Sequence, residues 1–160
     1  MAQTKKSSAT RPQDAIALLR ADHKKVSDLF EQFEKARNAD KKKALATEIC
    51  QELTVHATIE EEIFYPAARE VLNDREMVPE ALVEHASLKK LIADIENGES
   101  EREMFDARVK VLSEFVKHHV KEEQNELFPT VKKTKLDTEA LGEQLAARKA
   151  ELMEEATTAG

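Results

Sequence analysis

The chain has 160 residues, 25 basic and 32 acidic side chains and a formal net charge of −7, which suits one domain. With 41% hydrophobic and 36% charged residues but only 3 Gly and 4 Pro, it can fill one core and has few breakers, which favours long helices over a sheet-rich fold. Spread rather than clustered Lys and Arg argue against a nucleic-acid surface, and a single Cys excludes an intrachain disulfide framework or a cysteine-rich metal site.

Residues 1–13 are polar and lack the apolar stretch of a signal peptide, so they read as a mobile N-terminal segment. No run approaches the roughly 18 apolar residues of a membrane span, and a cytoplasmic protein without membrane contact is expected. From Asp14 the pattern turns helical, with Ile16, Leu19, His23, Val26, Phe30 and Phe33 on one stripe. A polar break over residues 36–42 precedes a second stripe through Ile49, Leu53, His56, Glu60, Ile63 and Ala67, which Pro66 should end or kink. Asn73-Asp74 reads as a turn. A third helix starting near Pro79 carries Val78, Leu82, His85, Leu88, Ile92 and Ile95 and stops at Asn97-Gly98. The fourth runs through Phe105, Val109, Leu112, Val116, His119, Glu123 and Leu127 to Pro129. Leu141, Leu145 and Leu152 mark a short fifth helix that packs across one end and carries no site residue. Four long amphipathic segments with short connections predict an all-α fold, an antiparallel up-down four-helix bundle over residues 14–132, with a C-terminal helix and tail over 133–160. Cys50 reads as a small core residue.

The second and fourth helices repeat a pattern. His56-Ala-Thr-Ile-Glu60 and His119-Val-Lys-Glu-Glu123 are both HxxxE, each with a Pro six residues after the Glu, and the copies lie 63 residues apart. His23, preceded by Asp22, and His85, preceded by Glu84, lie 62 apart, which implies a duplicated helical hairpin. The i,i+4 spacing puts His and Glu one turn apart on one helix face, where both can converge on one point. In the first hairpin His23 and His56 stand about 14 and 16 residues from the turn, at nearly equal height. In the second, equal heights require the loop to extend toward Met104.

Four histidines and two carboxylates at one level of a core would leave buried polar atoms costing roughly 1–3 kcal/mol each if unpaired. Two cations would compensate, capped by imidazoles and bridged by carboxylates at a separation of roughly 3.5–4 Å. Mixed His and carboxylate donors suit non-haem iron, and ligand type leaves manganese and zinc open. Any one such histidine alone is more often a hydrogen-bonded core residue; the repeated set reads as ligands. His118, rotated by about 100° from His119, has its own i+4 partner in Glu122 and is read as a bundle-edge residue. Glu61, Glu62, Glu122 and Glu126 read as a solvated acidic face, from which one could still reach the cations as an extra ligand or as a base behind the ligands, and Tyr65, Phe64, Phe115 and Phe128 as core, with Tyr65 able to close the pocket or donate a hydrogen bond. The lysines read as ordinary surface.

These motifs over about residues 14 to 130 resemble the hemerythrin-like family of HHE cation-binding domains, whose pattern is H, HxxxE, H, HxxxE with LFP-like endings. The resemblance implies a di-iron centre, oxo- or hydroxo-bridged, held by His23, His56, Glu60, His85, His119 and Glu123, with both Glu bridging. It implies binding of a small diatomic ligand or peroxide in sensing, stress response or peroxide breakdown, the alternative being an iron-holding or protein-interaction module without redox turnover. The family's oxygen carriers have a fifth histidine one turn after the third-helix ligand, where this chain has Lys89, or Leu88 one residue earlier. A coordination position is thus left for water, peroxide, nitric oxide, Tyr65, His118 or a neighbouring Glu.

Overall fold

The computed structural model describes residues 14–73, 76–98 and 102–159, all helix and short connections with no strand among them. The expected mobile segment 1–13 and Asp74 of the expected turn lie outside the described residues. Helix α1 spans Ala15–Lys35 and α2 Ala39–Ile59; a π-helical turn, Glu60–Phe64, runs into α3, Tyr65–Val71. Helix α4 spans Met77–Asn97 and α5 Arg102–Glu122; a second π-helical turn, Glu123–Leu127, runs into α6, Phe128–Lys132, and α7 spans Thr138–Ala159.

Local chemistry sets the boundaries. The Asp14 carboxylate caps α1 by accepting from the Ile16 and Ala17 amides at 3.0 and 3.3 Å. The break expected over 36–42 shrinks to 36–38, because the Asn38 side chain accepts from the Lys41 amide and starts α2 early. Asn38→Ala should therefore cost about 1 kcal/mol, read as a fall in denaturation midpoint with unchanged slope.

Pro66 and Pro129 end neither helix. In each π turn the peptide N–H five residues after the glutamate bonds its carbonyl, Tyr65 to Glu60 and Phe128 to Glu123. The wider turn passes the proline in the helix. It also slips the register by one residue: Phe64 and Tyr65 are buried, as their reading as core requires, but Ala68 joins them while Ile63 and Ala67 of the expected stripe are only half-buried. On α4, Ala81 is buried and Leu82 is 37% exposed, the reverse of the expected stripe.

The core has two apolar layers. One joins Val26, Phe30, Phe33, Ile49, Cys50, Leu53, Leu88, Ile92, Leu112 and Val116. The other joins Ile16, Leu19, Ile59, Phe64, Tyr65, Val78, Leu127, Phe128, Leu141 and Leu145. Helices α1 and α4 run from the second layer to the first, α2 and α5 return, and the antiparallel up-down bundle is complete. Both hairpins have equal arms: His23 and His85 each stand 12 residues before their helix ends, His56 and His119 each 17 after theirs begin. The loop need not reach Met104, since α5 starts at Arg102. Cys50 is buried, and burial with Glu96 nearby pushes its thiol up to about 12, the behaviour of an inert core residue.

Helix α7 is longer than expected, at 22 residues. It does not merely cross one end. Leu141 and Leu145 enter the second apolar layer, and Arg148 and Lys149 reach Glu62 and Asp22.

Candidate metal centre

The polar layer lies between the two apolar ones. His23, His56, Glu60, His85, His119 and Glu123 are all buried, none more than 8% exposed, and come from α1, α2, α4, α5 and the two π turns. One donor atom each from His23, His56, Glu60 and Glu123 lie within 4.8 Å of one another, as do those from Glu60, His85 and His119. Glu60 belongs to both groups. Its Oε1 is 3.4 Å from His56 Nε2 and 3.2 Å from His85 Nε2. Glu123 spans them too, with Oε1 3.1 Å from His23 Nε2 and Oε2 3.7 Å from His119 Nε2.

Each histidine is turned by a partner on its other nitrogen. Nδ1 of His56 lies 2.9 Å from Asp22, of His119 2.6 Å from Glu84, of His85 2.8 Å from Glu61 and of His23 2.8 Å from Gln124. A carboxylate or amide oxygen can only accept, so Nδ1–H donates, and a neutral ring then points the lone pair of Nε2 inward. The partners follow the same internal repeat as the histidines. Asp22 and Glu84 each precede a lone histidine and hold the HxxxE histidine of the same hairpin. Glu61 and Gln124 follow the two glutamates and hold the lone histidine of the other hairpin. Glu61 is thus no solvated face, and the signal was its place directly after the HxxxE glutamate, which Gln124 holds in the second copy. Glu62 does pair outward, with Arg148 at 2.8 Å, and Glu126 is exposed.

His23 Nε2, His56 Nε2, His119 Nε2, Glu60 Oε2 and Glu123 Oε1 are buried without a hydrogen-bond partner. Lone pairs facing one another at about 3–4 Å require a positive charge between them, and imidazole with carboxylate is a donor set for a transition-metal cation. Without a metal, protons take that part. Burial alone would push His56 and His85 down, but Glu60, with Asp22 for His56 and Glu61 for His85, outweighs it and holds both above the usual histidine range. Burial likewise opposes the Glu60 carboxylate, and the two histidines hold it well below its usual value.

Two further side chains act at the layer. Tyr65 is 1% exposed, and its hydroxyl donates to Glu123 Oε2 at 2.5 Å, with Glu60 Oε1 at 3.1 Å and His85 Nε2 at 3.3 Å. Burial and the two glutamates raise this phenol well above its ordinary range, so it keeps its proton. The π turn places it there: five residues after Glu60 is well off the glutamate's face in an α-helix, but close to it in the wider turn. At the equivalent position Phe128 stacks on His23, with ring centroids 5.9 Å apart. The second is Lys149 of α7, 2.5 Å from Asp22 Oδ1. Burial would raise Asp22, but His56 and Lys149 hold it below the ordinary carboxylate range. The C-terminal helix, read as carrying no site residue, therefore steadies the carboxylate that aims His56, and Lys149 is not ordinary surface.

His118 is exposed and 3.3 Å from Glu122, away from the layer, as its rotation from His119 requires. Lys89 is also turned outward, 2.7 Å from Glu61. Leu88 instead helps wall a cavity of about 20 Å³ against His23, His56 and His119, with Val26, Leu53, Phe115, Val116 and Val120. Phe115 is half-buried there rather than part of the core proper.

Residues 14–131 match the family described as the hemerythrin HHE cation binding domain. A curated relative, a DNA nickase of Nostoc sp. (strain PCC 7120), is 30% identical over 115 residues, which is 72% of this chain; the chain spans about a third, 32%, of that protein's length. A solved structure of a hemerythrin HHE cation binding domain-containing protein from Mycobacterium kansasii aligns with a TM-score of 0.79 and 24% identity over 91% of each chain, which shows a common fold.

Proposed function

This chain belongs to the hemerythrin family of HHE cation binding domains, and from that premise we propose that it is a non-haem di-iron protein of the cytoplasm that binds oxygen, peroxide or nitric oxide in sensing, stress response or peroxide breakdown. The observation that carries the reading is the pair of donor groups sharing Glu60, each histidine aimed inward by a partner on Nδ1. His23 and His56 would hold one ion, His85 and His119 the other, with Glu60 and Glu123 between them; manganese or zinc would satisfy the same donors. Iron at these positions would supply one-electron redox chemistry and a coordination position for a small ligand.

The chain's own residues decide what reaches that position. The apolar cavity of about 20 Å³ beside the histidines exceeds the roughly 10–15 Å³ that a water-sized molecule requires, and admits nothing much larger. Its Val and Leu walls favour a small uncharged molecule and keep bulk water out. The Tyr65 hydroxyl, protonated between the two glutamates, is placed to bind an ion as a further oxygen donor or to give a hydrogen bond to a ligand there. The net charge of −7 weighs against a nucleic-acid surface on this chain.

The alternative, an iron-holding module whose C-terminal helix serves a partner, fits less well. Leu141, Leu145, Arg148 and Lys149 of α7 are already engaged with this chain's own bundle. Exposing the reduced, iron-loaded protein to oxygen or nitric oxide should produce a new absorbance band, and any peroxide turnover should vanish in His56→Ala. Iron that stays bound but inert to all three ligands would favour the holding module.

A further inference from the structure

Four carboxylates crowd one mouth of the centre. Glu80 and Glu84 on α4, Glu122 at the end of α5 and Glu126 in the second π turn line a cavity of about 40 Å³ that also touches His119 and Glu123. At the floor, His119 Nε2 and Glu123 Oε1 are buried without hydrogen-bond partners, on residues 7% and 3% exposed. At the rim, Glu80 and Glu126 are exposed. Glu84 and Glu122 of this lining and the exposed His118 beside them each bring one donor atom within 4.8 Å of the others. Glu84 also holds His119 Nδ1, so this outer group adjoins the inner donors directly.

The two other carboxylates that aim histidines have a lysine against them, Asp22 with Lys149 and Glu61 with Lys89. At this mouth the basic partner is His118, 3.3 Å from Glu122, and Glu84, Glu122 and Glu126 line one cavity together. An acid-lined cleft with low-dielectric walls focuses its field on cations and speeds their arrival.

We propose that this acidic mouth is the loading route of the centre: a divalent cation is gathered by Glu80 and Glu126, held in passing by Glu84, His118 and Glu122, and handed to His119 and Glu123. The proposal rests on the di-iron reading for its destination, and the two fail separately. Co²⁺ alone serves as probe, its uptake by the metal-free full chain followed by stopped-flow absorbance and its final content by elemental analysis. In the double variant Glu80→Gln, Glu126→Gln, the second-order uptake rate should fall by about ten-fold at low ionic strength, with the difference closing as salt is added. The final content should stay at the parent's value. Glu31→Gln, Glu34→Gln, an equal charge change on the exposed face of α1, should leave the rate near that of the parent. A double variant no slower than this control, or one slowed by the same factor at every salt concentration, overturns the loading route. A parent chain that takes up no cobalt overturns the di-iron reading instead.

Discussion

Replacing Glu60 with alanine should empty both proposed ion positions, whereas replacing His85 should weaken chiefly one. Glu60 is the residue common to both donor groups, fully buried, with one oxygen between His56 and His85 and the other without a hydrogen-bond partner. Its removal takes a donor from each group and leaves four histidines facing one another with one carboxylate fewer to offset a cation. Elemental analysis after desalting should find little or no metal in Glu60→Ala. Glu60→Gln, which keeps the volume but supplies a neutral oxygen, should lose most of it too. Helical content should be retained in both, since the apolar layers above and below are untouched. A Glu60→Ala chain that still holds one ion tightly would show that the carboxylate does not join the two positions.

The second large effect is expected away from any donor atom. Asp22→Asn and Glu84→Gln leave all six inward-facing side chains in place, yet each should weaken divalent-cation affinity by about 10–100-fold, because each carboxylate fixes the ring and raises the basicity of one histidine. The amides can still accept from Nδ1–H but carry no charge, so the loss measures electrostatics more than geometry. Combined, the two should multiply if they act on separate ions. Lys149→Met should cost less than Asp22→Asn, since Lys149 acts on His56 only through Asp22. Competition against a chromophoric chelator gives these constants directly. Unchanged affinity in both single variants would mean that the partners on Nδ1 merely fill space.

Much of this centre is legible in the sequence because duplication writes it twice. The order lone His, HxxxE, Pro recurs at a nearly constant offset, and periodicity places the four histidines and two glutamates on apolar stripes where a polar group needs an explanation. The structure brings all six together. Asp22 and Glu84 could have been read by the same offset, since each precedes a lone histidine; what hides their role is that a carboxylate beside a histidine in sequence usually faces another way. Here each reaches the histidine of the next helix.

What the sequence hid is what depends on the backbone path. Pro66 reads as a stop or a kink because its ring crowds an α-helical carbonyl, and the pattern does not reveal that a π turn beginning at Glu60 will carry the chain past it. Phe64 and Tyr65 were legible as core, and Tyr65 as a hydrogen-bond donor; what the turn adds is the register slip that leaves Ile63 half-buried and swings the tyrosine hydroxyl onto the two glutamates. Lys149 was equally hidden: nothing local to a C-terminal amphipathic stretch says which buried carboxylate, 127 residues earlier, it will meet.

The most direct measurement is an anomalous difference map at the iron edge from crystals of the iron-loaded chain. Two peaks roughly 3.5–4 Å apart are predicted, one against His23 and His56, the other against His85 and His119, with Glu60 between them. A single peak, peaks at Glu122 and the exposed His118 alone, or no anomalous density among the four histidines would contradict a di-iron centre in this bundle.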